Sequence, residues 1–420
     1  MKRLLATAVL VLLASAAFAL DDDVLERVDA AADELFPSLV ECRRWFHAHP
    51  ELSNREERTG AEIARRLREI GYEPRTGIAG HGVVAVLEGG RPGPVVAWRS
   101  DIDALPIEEQ VDVPWRSTNP GVMHACGHDV HTTVGLGAAE LLYGMRAELP
   151  GTVLFLFQPA EEGVPPGEKG GASLVIEEGV LEDPRPVAIF GLHVMPTHEV
   201  GMIGWRAGGF MAAADRFTIR IAGRMTHGSA PHDGVDAIWI GSQVVGALQA
   251  IVSREVDSRE PAVVSVGTFE AGNRFNVIAG SATLTGTVRT LDEAVQDQVE
   301  AAMSRVVANV CAAHRADCTV DYERSTPAVV NDEELTAEAV AALRRVFGED
   351  AVVQVDPIMA AEDFAELARV VPGFYFHLGV ANSAEGWTSY VHTPTFRPDE
   401  ESLRVGVKAA AVLLLDALQE

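Results

Sequence analysis

The chain has 420 residues, 47% of them hydrophobic, and a formal net charge of −27 at pH 7. That apolar content excludes a disordered chain, and the length predicts two domains rather than one. The acid excess argues against nucleic acid or an anionic membrane as partner, and four cysteines are too few for a disulfide scaffold.

Lys2 and Arg3 precede the apolar run "LLATAVLVLL", and Ala17-Phe18-Ala19 has the small-x-small form of a cleavage site. Residues 1–19 therefore read as an export signal, because the run is short for an uncleaved membrane anchor. Removal of Lys2 and Arg3 would take the net charge to −29 and leave a periplasmic or secreted protein without a membrane span. Residues 24–47 and 57–70 then read as helices. The runs "GVVAVLE" and "PVVAWRSDIDA" read as strands, and 130–147 as a helix. "GTVLFLFQPAEE" and "PVAIFGLHV" are near-continuous apolar strands, the second ending at His193. This alternation predicts an α/β unit, a mixed sheet flanked by helices, with chemistry collected beyond the strands' carboxyl ends.

After about residue 205 the texture changes. "DRFTIRIAG" alternates like a half-exposed strand. A helix at 234–256 follows, then strands "AVVSVGTFEAG" and "SATLTGTVRTL", a helix at 292–315 and a strand "CTVDYE". The order β-α-β-β-α-β is ferredoxin-like. From about 325 the first texture returns, with a helix at 333–347, the strand "GFYFHLGV" and an apolar helix at 399–418. The expected organisation is a catalytic α/β domain in two pieces, 20–205 and 324–420, with an α+β lid domain inserted at 206–323.

"MHACGHDVHT" at 123–132 combines soft sulfur, imidazole nitrogen and hard oxygen. Cys126 and His128, in a glycine-containing turn, can aim two ligands at one point, and a thiolate can bridge two metals. Glu161 and Glu162 follow an apolar strand. As adjacent carboxylates they point in different directions, so one can bind metal while the other faces a bound water. His193 and His392 fall at a strand end and in a loop, and Asp101 and Asp103 in "RSDIDALP" are placed to orient ligands or the base. Singly, each has a bland reading. Cys126 could be a buried thiol, Asp129 and His131 the opening of a helix, the two glutamates solvated acids, and each lone histidine structural. Jointly, Cys126, His128, Glu162, His193 and His392 converge on one end of one predicted sheet, enough for two metals about 3.5–4 Å apart. Cys311 and Cys318 could pair across a short loop in an oxidising compartment.

The motifs "MHACGHDVHT", "FQPAEEG", "GLHVMP", "THGSAPH", "FNVI" with "GTVR", "AEDF" and "HTPTF" occur in that order. Together they resemble the zinc aminoacylase and carboxypeptidase superfamily of co-catalytic metallopeptidases. Within it, the chain is similar to the amidohydrolase branch of hippurate hydrolases, N-acyl-amino-acid hydrolases and auxin-amino-acid hydrolases. The resemblance implies two divalent metal ions, zinc or manganese first, with cobalt or nickel compatible. Cys126 would bridge them where the carboxypeptidases use aspartate, and His128, Glu162, His193 and His392 would complete the ligands. It implies Glu161 as general acid/base, His227 as an oxyanion donor, and Asn276 and Arg289 as holders of a substrate carboxylate. "GRMTHGSAPH" departs from the Gly-Gly-His run of many relatives, so Met225 and Thr226 add bulk beside His227. The implied reaction releases a carboxylic acid and a free amino acid from an N-acyl amino acid, and a homodimer through the lid domain is expected. A dipeptidase or carboxypeptidase of the same superfamily is the nearest alternative. A non-catalytic binding protein or a closed structural zinc site fits less well, since neither needs a competent Glu161.

Overall fold

A computed structural model describes residues 21–419, so the export signal expected at 1–19 lies outside the described residues. An eight-stranded mixed sheet runs in the order Arg75–Ile78, Gly82–Glu88, Pro150–Gln158, Arg91–Asp101, Ala188–Glu199, Gly373–Ala381, Ile203–Trp205 and Val352–Gln354. The central four, Pro150–Gln158 to Gly373–Ala381, pair in parallel; antiparallel pairs flank them on both sides. Every residue of Gly373–Ala381 is buried, which is why this strand reads as one apolar run rather than an alternation.

Each face of the sheet has its own core. Trp98, Phe155, Phe157, Phe190 and Phe376 meet the helices Asp22–Ala48, His128–Met145 and Glu401–Ala417 on one side. Ala97, Leu154, Leu156, Ile189 and Tyr375 meet Gly171–Glu177 and Phe364–Ala368 on the other. Glu401–Ala417 is buried around most of its circumference, which accounts for its largely apolar sequence, and its Arg404 and Lys408 pair with Asp33 and Asp29 of the first helix.

The strands Ala262–Ala271, Ser281–Thr290, Ala214–Ala222 and Asp317–Thr326 form a second, wholly antiparallel sheet in that order. With the helices Ala237–Ala250 and Glu293–Ala313 between them in sequence, they make the ferredoxin-like insert. Phe217, Ile219, Leu284 and Val288 pack under the helices against Val244, Val299 and Met303. Side chains alternate along a strand, so the opposite face, on which no helix among the described residues packs, carries Arg216, Thr218, Thr285, Thr287 and Arg289 with few apolar side chains such as Val263. Cys311 and Cys318 are bonded, joining the end of Glu293–Ala313 to the strand beyond it.

Two readings shift. The strand through His193 runs on to Glu199, so His193 lies within it, opposite His377, and not at its end. The helix expected at 234–256 is α-helical only to Ala250 and closes as a π turn, Ile251–Glu255. The three-residue strands at the far edge, Ile203–Trp205 and Val352–Gln354, are too short for periodicity to reveal.

Candidate active site

The turn that carries Cys126 and His128 depends on the glycine between them. Gly127 has φ 90° and caps the helix His128–Met145. A Cβ there would lie 2.4 Å from Val194 Cγ2, so neither the conformation nor the space admits a side chain. The loop bearing His392 is tied to this turn, because the His392 N–H donates to the Ala125 carbonyl at 2.8 Å. His392 itself has φ 60°, unusual for a residue with a side chain. Ala160, just before the two glutamates, is similar at φ 57°, with its N–H held by Glu56 Oε1 at 2.8 Å. Two of the five non-glycine residues with positive φ among the described residues, Ala160 and His392, therefore lie in the segments that supply chemistry.

The side chains converge. Cys126 Sγ lies 3.2 Å from His193 Nε2 and 3.1 Å from His392 Nε2. His392 Nε2 is 3.2 Å from Glu162 Oε1, and His128 Nε2 is 3.8 Å from Glu161 Oε2 and 3.9 Å from Glu162 Oε1. Two donor triads result, Cys126–His128–His193 and Cys126–Glu162–His392, each with its ligand atoms within 4.8 Å of one another and both containing the sulfur. Tetrahedral coordination at ordinary zinc bond lengths separates neighbouring ligand atoms by about 3.4–3.6 Å, within the range spanned here. His128 Nε2 and Glu162 Oε1 are buried and have no hydrogen-bond partner, as atoms reserved for a cation would be.

The groups behind these atoms set their tautomers. His128 Nδ1 donates to Asp103 Oδ1 at 3.2 Å, and His193 Nδ1 to the Val194 carbonyl at 2.7 Å. In their neutral form, the form that binds a metal, both rings thus present a lone pair on Nε2. Asp103 Oδ2 also accepts from the Glu162 N–H at 3.0 Å and from Ser53 at 2.6 Å, so one carboxylate positions two of the candidate ligands. Asp101 acts at one remove. Its Oδ1 accepts from His131 Nδ1 at 2.6 Å, and His131 Nε2 accepts from the Val194 N–H at 3.0 Å. His131 therefore braces the strand carrying His193.

The electrostatics call for positive charge. Burial, then Glu162, Glu161 and Asp101, push the Cys126 thiol well above its ordinary range. Burial, then Glu362, Glu162 and Asp363, do the same to Glu161. His128 rises to about 10, because Asp101 and Asp103 outweigh the burial that opposes them.

Sequence reasoning gave no role to the acids of "AEDF". Buried Arg99 binds Asp101 Oδ2 at 2.7 Å, Glu362 Oε1 at 2.9 Å and Asp363 Oδ1 at 2.6 Å, drawing Glu362 and Asp363 up to Glu161. The signal was present: an arginine inside an apolar strand demands buried acids. Asp129 is also more than a helix opening. It is fully buried and accepts from Arg43 and His47, each at 2.9 Å.

The cleft in front of these groups holds about 880 Å³ and is lined by Glu161, Glu162, His392 and, from the insert, Arg216 and Arg289. His227 and Asn276 are not part of that lining. They sit together on a two-stranded ribbon, with the Gly228 N–H bonded to the Asn276 carbonyl and His227 exposed. Met225 packs over Gly280 and is otherwise exposed.

A model of peptidase family M20/M25/M40 matches residues 97–416. The N-acetylcysteine deacetylase of Bacillus subtilis (strain 168) is 40% identical over 393 residues, 92% of this chain and 99% of the relative. Thermostable carboxypeptidase 2 of Saccharolobus solfataricus is 37% identical over 395 residues, 94% of this chain and 98% of the relative. Among solved structures, the Bacillus subtilis YXEP protein, described as a dinuclear metal binding peptidase from the M20 family, aligns with a TM-score of 0.81. It is 37% identical and covers 92% of this chain and 99% of that one.

Proposed function

Because the chain belongs to peptidase family M20/M25/M40 and is a metal-dependent hydrolase, we propose that it cleaves the amide bond of N-acyl amino acids at a two-metal site. The observation that carries this reading is the pair of donor triads sharing Cys126, with the Glu161 carboxylate beside them. Cys126 would bridge, His128 and His193 would complete one ion's ligands, and Glu162 and His392 the other's. Two bound divalent cations would polarise the scissile carbonyl and lower the pKa of the attacking water. The sulfur and imidazoles suit zinc, and manganese, cobalt or nickel share the nitrogen and oxygen donors.

Glu161 takes one proton from the attacking water and returns it to the leaving nitrogen as the C–N bond breaks, giving a carboxylic acid and a free amine. Arg289, across the cleft, holds the substrate carboxylate and counters the repulsion of an acidic protein. For His227 to donate to the developing oxyanion, and Asn276 to hold substrate, the insert must close or a second copy must supply them. A homodimer through the insert would serve the latter. The bonded Cys311–Cys318 pair supports an oxidising compartment, in line with export. No helix among the described residues is long and apolar enough to cross a membrane.

A second reading, cleavage of a carboxy-terminal residue from a peptide, is favoured by the similarity to the carboxypeptidase. Screening N-acetyl amino acids, hippurate and dipeptides decides between them by the best kcat/KM. Turnover should stop with chelator and return with metal. Glu161→Gln should lower kcat by about 10²–10⁴-fold while metal content is retained. Wild-type rates in that variant, or chelator-insensitive cleavage, would remove the mechanism.

A further inference from the structure

The cleft wall facing Glu161 and Glu162 is the helix-free face of the inserted sheet. Arg216 stands opposite Thr287 in the strand pairing, and Arg289 is two residues further along the same strand. Both arginines therefore project from one face as diagonal neighbours, whose Cα atoms are separated by about 7–8 Å. Neither guanidinium has an ion pair or hydrogen bond among the described residues. Arg289 is half-buried and Arg216 exposed to the cleft. They lie close enough that, after burial and against Asp215, the charge of Arg216 lowers the pKa of Arg289.

The rest of this wall offers hydroxyls from Thr218, Ser265, Thr285 and Thr287. Phe217 borders the cleft but is 1% exposed, its ring committed to the core of the insert. Among the residues of this wall that line the cleft, no large apolar side chain is presented to the substrate. Two adjacent unpaired cations, in a chain of net charge −27, form a receptor for paired negative charge. Flexible arginine arms from diagonal positions can converge on two carboxylates separated by two or three carbons.

We propose that the substrate carries two carboxylates, Arg289 holding one and Arg216 the other. This makes the enzyme selective for N-acyl derivatives of acidic amino acids or for N-acyl groups that themselves end in a carboxylate. Glu323, the partner of Arg216 on the neighbouring strand, also lines the cleft. It would repel a second carboxylate left without Arg216, which makes the arginine decisive for selectivity. The inference rests on the hydrolase reading above.

The test measures kcat/KM of the metal-loaded enzyme for N-acetyl-L-glutamate, N-acetyl-L-aspartate and N-succinyl-L-alanine, each divided by that for N-acetyl-L-alanine. The wild type should favour at least one dicarboxylate, and the winning substrate tells whether the second charge belongs to the amino acid or to the acyl group. In Arg216→Gln that ratio should fall roughly ten- to hundred-fold, the loss expected for one charged hydrogen-bonded contact. Arg216→Glu should lower it further. A wild-type ratio at or below one, with N-acetyl-L-alanine turned over, overturns this inference and leaves the hydrolase reading intact. So does a ratio that Arg216→Gln does not move. Absence of metal-dependent turnover on every substrate overturns both.

Discussion

Replacing Asp103 by asparagine tests whether the site is organised for a cation. The carboxylate makes three bonds: from His128 Nδ1 at 3.2 Å, from Ser53 at 2.6 Å and from the Glu162 N–H at 3.0 Å. Asparagine has one acceptor oxygen and so cannot accept from both sides. If its oxygen keeps Ser53 and Glu162, its NH₂ faces His128 Nδ1. That nitrogen must then accept, and the ring proton moves to Nε2, the atom proposed to bind metal. If the amide flips, the partly buried Glu162 N–H loses its acceptor, at about 1–3 kcal/mol. Either arrangement should weaken binding of at least one ion by about 10–100-fold, equivalent to roughly 1.4–2.7 kcal/mol. Competition against a chromophoric chelator at fixed pH reads this directly, with both stoichiometry and affinity. Titrations that superimpose on the wild type would refute the claim that Asp103 holds His128 for a metal.

Three further outcomes are expected. Cys126→Ala should lose metal as well as rate, because it removes the one atom common to both triads; full metal content by elemental analysis would contradict bridging. Gly127→Ala should destabilise by about 2–4 kcal/mol, combining the left-handed backbone cost with overpacking against Val194, and should lower metal content as Cys126 and His128 shift. An unchanged urea midpoint would show that the turn relaxes freely. His377 is depressed to about 3, chiefly by burial and then by His198, against about 6.5 in an unfolded chain. Its contribution is neutral above pH 6.5. As pH falls below that value the unfolded chain binds a proton that the native state refuses, so stability declines by about 3 kcal/mol by pH 4. His377→Gln should flatten that acid limb in denaturation curves taken at stepped pH, and a parallel limb would show that the ring is already protonated when folded.

The legible and the illegible parts of this protein differ by length scale. The helices Glu57–Ile70 and Glu333–Phe347 and the strand Gly82–Glu88 match their sequence reading residue for residue, since an amphipathic or apolar run bounded by breakers is a local property. The ferredoxin-like order was equally legible, because strand alternation and helix period change visibly after residue 205. Sequence separation hid the rest. Arg99 and the "AEDF" acids lie more than 250 residues apart, and only the sheet order joins them. His131, readable from "MHACGHDVHT" only as the opening of a helix, has both its ring nitrogens taken, by Asp101 and by the Val194 N–H, and so braces the site.

The chain's own chemistry therefore determined the elements and the donor inventory: sulfur, imidazoles and carboxylates in motifs compact enough to see, with a glycine where a turn needed one. Only tertiary structure decided which donors share a centre. Parallel pairing sets the strands carrying Asp101 and His193 side by side, and the Ala125–His392 bond brings in a loop from the far end of the chain. It also decided which arginines face the cleft and that His227 does not. Hydrogen bonds and packing between distant segments set those positions, and no periodicity within a segment encodes them.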